Sequence, residues 1–248
     1  MKKILTTLLL CMFVFMSVGL TSVLFEKPAA SNEKDEIKKK VKFSELSYVA
    51  FGDSITYGVD GIVWGRMANP YPSLVADTLK LKSVENKAVS GAVFCTNTLN
   101  RTNMTQTILN FKGKADIISL MLGVNDKCVN LPLGDKSSRD NTTIYGSLHL
   151  ICEYLTTYYS DSFVFVMTPL KYSGYASKNS QGYDLEDVAD AIKWVCGKYD
   201  IPVLDMFEKG NYEVEMYLEE SDGLHPSQEF HEKYTAPIIV EYIKNNYS

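Results

Sequence analysis

The sequence predicts an α/β layered domain built on a mostly parallel central sheet, and two observations carry that prediction. From Ser44 onward, apolar runs of strand length alternate with longer stretches of helical periodicity. Ala115 to Leu122 (ADIISLML) is a nearly unbroken apolar run bounded by Gly123, the pattern of a strand covered on both faces. There is no repeat period and no sign of a second domain.

The elements follow in order. Leu46 to Phe51 (LSYVAF) is a strand ending at Gly52. Tyr71 to Leu81 places Leu74, Val75, Thr78 and Leu79 at helical spacing, and Ser83 to Val89 is a weaker strand. Thr98 to Phe111 reads as a helix through Leu99, Ile108, Leu109 and Phe111, although its middle is polar. The second half repeats the alternation. Thr143 to Tyr159 is a helix, Phe163 to Met167 (FVFVM) a strand, Leu185 to Tyr199 a helix and Ile201 to Leu204 a short strand. His231 to Tyr247 closes the chain as a helix in which Pro237 requires a late start or a kink.

The first 42 residues stand apart. Lys2 and Lys3 precede an uncharged stretch from Ile4 to Phe25, 22 residues rich in Leu, Val, Phe and Met. A positive start followed by an apolar run is the pattern of an export signal, and about 20 such residues also suffice to span a bilayer. Residues 1–25 are therefore expected to act as a cleaved export signal or as a membrane anchor, with the rest of the chain extracytoplasmic. Residues 26–42, dominated by Lys, Glu and Asp, read as a solvated charged linker. Residues 43–248 form the expected folded domain, roughly 200 residues and enough for one sizeable core.

Apolar content is 46 % and charged content 22 %, ordinary for a globular protein. The net charge of −5, with no basic block in the body of the chain, excludes nucleic acid as an expected partner. Outside Cys11, the four cysteines Cys95, Cys128, Cys152 and Cys196 are spaced by 33, 24 and 44 residues, with no CxxC pair, so a structural zinc site has no support. An even count in an exported chain permits disulfides, yet four cysteines do not make a disulfide scaffold. They are read as buried free thiols.

In a parallel sheet, ligands bind beyond the carboxyl ends of the strands. Four loops rich in glycine and polar residues fall there or beside it. Gly52-Asp53-Ser54 follows the first strand, Ser90-Gly91 the second and Gly123-Val124-Asn125-Asp126 the third, and Asp222-Gly223-Leu224-His225-Pro226 precedes the last helix.

Together these four blocks resemble those of the SGNH (GDSL-type) hydrolase family: GDS after the first strand, a glycine after the second, GxND after the third, and DxxH near the C-terminus. All four occur in order, from about Ser44 to the C-terminus. The resemblance implies a three-layer α/β/α sandwich, flavodoxin-like, and a serine ester hydrolase that uses no metal and no organic cofactor. Two positions depart from the family pattern. Ile55 replaces the usual leucine after the serine, an apolar exchange. In Asn86-Lys87-Ala88-Val89-Ser90-Gly91, Ala88 stands where the family often has its first glycine, which leaves Gly91 in place but puts that loop's geometry in question.

The chemistry explains the residue types. A serine hydroxyl attacks only when a base takes its proton, so Ser54 is the expected nucleophile and His225 its base. Asp222, three residues before the histidine, can reach the other ring nitrogen and fix the tautomer. By resemblance, the oxyanion formed on attack would be held by the backbone N–H groups of Ser54 and Gly91 and by the side-chain amide of Asn125. Asp53 and Asp126 are read as loop-fixing residues, and His149 and His231 as structural or solvated ones. The segments Ile55 to Pro70, Lys127 to Asn141 and Leu170 to Tyr183 could shape the substrate pocket, with Tyr57, Trp64, Tyr172, Tyr175 and Tyr183 as candidate lining rings.

The expected reaction is hydrolysis of a small acyl group, such as acetyl, from a carbohydrate or cell-envelope ester. The expected partner is a small-molecule or glycan ester, and membrane contact is expected only through the N-terminal segment. Two alternatives stay open: a lipase- or thioesterase-like enzyme for longer acyl chains, and a catalytically silent carbohydrate-binding relative. A classical α/β-hydrolase is disfavoured because the chain has no GxSxG elbow.

Overall fold

Five short segments carry the β-forming residues: β1 Ser47–Gly52, β2 Ser83–Asn86, β3 Ile117–Met121, β4 Phe163–Met167 and β5 Val203–Leu204. In the computed structural model, which describes residues 41–209 and 222–247, they form one sheet in the order β2-β1-β3-β4-β5 with every pair parallel. The register aligns Gly52 with Met121 and Met121 with Met167, so three strands end level with one another. The described residues lie in the unit Lys40–Ser248. Residues 1–25 and most of the 26–42 linker fall outside them. Among the described residues no helix is long and apolar enough to cross a membrane.

Alternation along the strands sends side chains to two cores. Val49, Phe51, Ile118, Leu120 and Val166 pack on one face against helices α3 (Met104–Asn110), α5 (Ile144–Tyr158) and α6 (Leu185–Lys198). Tyr48, Ala50, Ile117, Met121, Phe165 and Met167 pack on the other face. That second core is closed by α2 (Tyr71–Leu79) and the C-terminal helix. Helices therefore cover both faces of a parallel sheet, the three-layer α/β/α sandwich. Short helices α1 (Ser54–Tyr57), α4 (Val124–Cys128) and α7 (Met206–Lys209) complete this part of the chain.

Local chemistry sets the ends of the long helices. The Thr143 hydroxyl accepts from Gly146 N–H at the start of α5, and Asp184 and Asp187 form a reciprocal capping box at the start of α6. Lys80, in the left-handed region, stops α2 two residues before the expected Leu81.

Two elements differ from expectation. The helix expected over Thr98 to Phe111 begins only at Met104, capped by Asn103. Upstream, the Asn97 side chain accepts from the amides of Leu99 and Arg101 and holds that segment in a turn, so a polar side chain outcompetes the helix. The last helix starts earlier than His231 and is not uniform. α8 (Gln228–Phe230) leads into a π-helical turn, His231–Thr235, and then α9 (Ala236–Asn246). Pro237 lies in the first turn of α9 and has no N–H to give the carbonyl four residues back, which accounts for the widened turn before it.

Candidate active site

The site is assembled at the carboxyl ends of β1 and β3. Gly52 closes β1 where a side chain has no room, since a Cβ there would lie 2.1 Å from Thr56 Oγ1 and 2.7 Å from the Met121 carbonyl. Asp53 caps α1 by accepting from Ile55 N–H at 3.0 Å, and Ser54 is the first residue of that helix. Burial pushes the Asp53 carboxyl up to about 6 despite that amide. Asp53 thus fixes the turn that presents Ser54, the loop-fixing role expected of it.

The segment that carries Asp222 and His225 is fixed by its own side chains. Asp222 Oδ1 accepts from the amides of Leu224 at 3.0 Å and His225 at 2.7 Å, and Gly223 takes φ +79. Asp222 Oδ2 lies 2.6 Å from His225 Nδ1, and His225 Nε2 lies 2.9 Å from Ser54 Oγ. Both distances are hydrogen bonds by geometry. With the ring neutral, Nδ1–H donates to the carboxylate and Nε2 is left to accept from the serine hydroxyl. Burial would raise the Asp222 carboxyl, but the amides of His225 and Leu224 and the imidazole outweigh it, and its pKa lies below the ordinary carboxylate value.

The loops after β2 and β3 are tied to each other and to β1. Val89 N–H donates to the Gly52 carbonyl at 3.1 Å. Gly91 takes φ +77, and its carbonyl accepts from Arg101 Nη1 at 3.1 Å. The Asn125 side-chain nitrogen donates to the Ala92 carbonyl at 3.1 Å, and Asp126 accepts from Phe94 N–H with both carboxylate oxygens and from Cys95 N–H. Burial raises the Asp126 carboxyl to about 7. Ala88 keeps a negative φ, its N–H bonded to Asn86 Oδ1 at 3.1 Å, so the missing glycine causes no backbone strain there.

The structure therefore brings Ser54, His225 and Asp222 into one hydrogen-bonded row. It joins Gly91 and Asn125 through Ala92.

The family model for GDSL-like lipases and acylhydrolases matches residues 50–233. The chain belongs to that family. No curated protein sequence matches it. Among solved structures, this acylhydrolase is similar to a protein from Lactobacillus plantarum at 22 % identity and a TM-score of 0.72, covering 82 % of this chain and 99 % of that one. It is also similar to a lipase/acylhydrolase from Enterococcus faecalis at 22 % identity and a TM-score of 0.58, covering 81 % and 96 %. A third neighbour is a carbohydrate acetylesterase family member from Sinorhizobium meliloti at 18 % identity and a TM-score of 0.55, covering 81 % and 98 %. At such identities these likenesses establish the fold. The family match establishes the class, an SGNH-type serine esterase.

Other residues of the acylhydrolase carry the site without having been singled out in the sequence. Asp60, buried, accepts from the amides of Ile62, Val63 and Gln228, and so clasps the loop after α1 to the segment that follows His225. Asn86 donates to the Thr56 carbonyl at 2.7 Å and holds the far end of α1. Lys127, also buried, donates to Tyr172 Oη at 2.6 Å and to the Gly174 carbonyl at 2.7 Å, pinning the loop after β4 to α4. Asp60 sits in a turn-forming pattern that occurs in many loops, so only its partners mark it, whereas Asn86 heads the block that carries Gly91.

The expectations for Tyr183 and Cys128 are corrected, and the other residues are placed beside them. Tyr183 does not line a pocket: it is buried in the core, its hydroxyl donating to the Leu131 carbonyl at 2.6 Å. Tyr172 is occupied by Lys127, and Tyr175 packs edge-on against Phe207. Trp64 is exposed, and Tyr57 lies under the Arg66 guanidinium at 4.3 Å. Cys95, Cys152 and Cys196 are buried free thiols, whereas Cys128 is exposed. His149 is structural, bonded to Tyr199 Oη and the Lys136 carbonyl. His231 is buried and accepts from Tyr71 N–H at 3.1 Å. Among the described residues, no three His, Cys, Asp or Glu side chains are grouped as metal ligands would be.

Proposed function

We propose that Ser54 is the nucleophile of this esterase, His225 its general base and Asp222 the residue that orients the histidine. One observation carries the reading: the continuous row from Asp222 Oδ2 through His225 to Ser54 Oγ, with contacts of 2.6 and 2.9 Å.

As Ser54 Oγ attacks the ester carbonyl, His225 Nε2 takes the hydroxyl proton, and Asp222 stabilises the imidazolium that results. The carbonyl oxygen becomes an oxyanion, for which the donors are Ser54 N–H, Gly91 N–H and Asn125. As the first amide of α1, Ser54 N–H has no partner within its helix. Asn125 has a second N–H beyond the one given to Ala92. Collapse of the intermediate breaks the C–O bond of the ester, and His225 returns its proton to the departing alcohol. Water, activated by the same histidine, then attacks the acyl-enzyme and releases the carboxylic acid.

For the substrate, we infer a small acyl group, such as acetyl, on a carbohydrate or cell-envelope ester. This draws on the likeness to a carbohydrate acetylesterase family member and on the export-type N-terminus. A longer-chain acyl ester is the second reading, favoured by the likeness to a lipase/acylhydrolase from Enterococcus faecalis.

A fluorophosphonate probe should label the wild type at Ser54, and Ser54→Ala should abolish both labelling and hydrolysis of acetylated glycans and aryl acetates while the fold is kept. Turnover retained in that variant would remove the nucleophile assignment.

A further inference from the structure

Six large apolar side chains are exposed among the described residues: Ile62, Val63, Trp64, Val89, Leu99 and Tyr158. Five of these, all but Tyr158, sit on two loops, the one that follows the helix of Ser54 and the one that follows β2. Ile62, Val63 and Trp64 form the tip of the loop after α1, and Val89 and Leu99 lie on the segment that carries Gly91.

The tip is built rather than loose. Asp60 accepts from the amides of Ile62 at 2.8 Å and Val63 at 3.1 Å, and Asp60 N–H donates to the Gly65 carbonyl at 2.8 Å. Trp64 takes φ +54, a conformation that a bulky residue rarely adopts, with its side chain 75 % exposed. The same Asp60 accepts from Gln228 N–H at 3.1 Å, which bonds the tip to the segment after His225. A strained, clamped backbone that presents an aliphatic pair and an indole to water has no role in the core.

Charge adds a direction. Between Gly61 and Arg66, and again between Val89 and Arg101, the chain has no Asp or Glu, and each segment ends on an arginine. The molecule as a whole carries −5. An indole beside aliphatic residues, on a loop that ends in a guanidinium and has no carboxylate between Gly61 and Arg66, is the side-chain set of a membrane interface: rings at headgroup level, cations on the phosphates. A sugar platform would instead set polar partners beside the ring, where this tip has Ile62 and Val63. The uncharged run Ile4–Phe25 is long enough to span a bilayer, and a chain tethered by it would work at a lipid surface.

We propose that this rim is a lipid-docking surface: the Ile62-Val63-Trp64 tip enters the interface of a bilayer with anionic headgroups, Arg66 and Arg101 lie against the phosphates, and the site is thereby presented to esters carried at that surface. The proposal rests on the reading of Ser54 as nucleophile only for its second half, the choice of substrate.

The chain has two tryptophans, Trp64 and Trp194, so Trp194→Phe leaves Trp64 as the only indole reporter. The full-length chain would be reconstituted into vesicles of phosphatidylcholine and phosphatidylglycerol. Bromine-labelled acyl chains should quench the Trp64 emission, and Val63→Asp should restore it. The same Val63→Asp change should slow turnover of a vesicle-borne acetyl ester about tenfold, the loss expected on withdrawing one buried aliphatic side chain. Turnover of a water-soluble aryl acetate should stay at the wild-type rate. Unquenched Trp64 would overturn the proposal, as would Val63→Asp slowing both esters alike. So would protection of Trp64 from aqueous iodide by an acetylated oligosaccharide but not by vesicles. A wild type that cleaves neither ester while Trp64 is quenched would leave the docking surface standing and remove the serine mechanism.

Discussion

The side-chain amide of Asn125 donates to the carbonyl of Ala92 at 3.1 Å, and so ties the loop after β3 to the residue that follows Gly91. Two of the proposed oxyanion donors are thus held by one hydrogen bond. Neither can move far without the other.

Asn125→Ala should therefore lower kcat by about 10²–10³, the scale for losing one oxyanion donor. KM should change far less, because the donor acts mainly in the transition state. Steady-state kinetics on an aryl acetate would check this, and a structure with a bound phosphonate would show which N–H groups face its oxygen. An unaltered kcat would remove Asn125 from the mechanism.

Asp222→Asn should keep the fold and lower kcat by about 10³–10⁴, because an amide can present N–H to His225 Nδ1 and so favour the wrong tautomer. The phosphonate should still reach Ser54, but more slowly in the same proportion. Equal rates of labelling in wild type and variant would show that Asp222 does not orient the base.

Asp60 offers a test of the clasp. Its carboxylate accepts from the amides of Ile62, Val63 and Gln228, and Asp60→Ala leaves those donors without it. A loss of about 1–3 kcal/mol in urea unfolding is expected. Burial would raise the Asp60 carboxyl, but the amides of Val63, Ile62 and Gln228 outweigh it and hold it below 3.8. Its contribution is therefore present above that value and fades as pH falls through the lower, folded-state value. The gap between wild type and variant should narrow in strong acid.

His231 should control stability on the acid side. Burial lowers its pKa from 6.5 to about 3, against a smaller opposing influence from Asp60. Between those values the unfolded chain holds a proton that the folded chain refuses, so stability falls as pH drops, by up to about 1.4 kcal/mol per pH unit. Asp53 and Asp126 act in the opposite sense. Their folded values of about 6 and about 7 lie above 3.8, so the native state holds their protons and loses stability as pH rises through that range. His231→Asn keeps an acceptor for Tyr71 N–H while removing the titration. Urea unfolding at pH 4.5 and 7 should show the variant losing less stability in acid than the wild type. Parallel losses would mean that His231 is not the acid-sensitive group.

The serine block, the histidine block and the alternation of strands and helices were all legible in the sequence, because each is local. Gly52 leaves no room for a Cβ beside Thr56, Asp53 caps the helix it precedes, and Asp222 folds back on the amides of its own turn. The extent of the Thr98 to Phe111 helix was not legible, because Asn97 competes for the backbone with a strength that periodicity does not reveal. Nor was Tyr183, whose spacing suited a pocket wall equally well. Its burial under Leu131 follows from how two loops meet.

By itself, then, the sequence determined the layered α/β class, the four blocks and the residue types able to do acyl transfer, all set by near neighbours in the chain. Only the tertiary structure decided which side chains meet across long separations. Ser54 meets His225 across 171 residues, and Asp60 meets Gln228 across 168. It also decided that Trp64, Ile62 and Val63 face water while Tyr183 does not. The physical reason is that burial and long-range hydrogen bonding depend on the packing of the whole sheet and its helices. A residue's own neighbours in the chain carry no record of that packing.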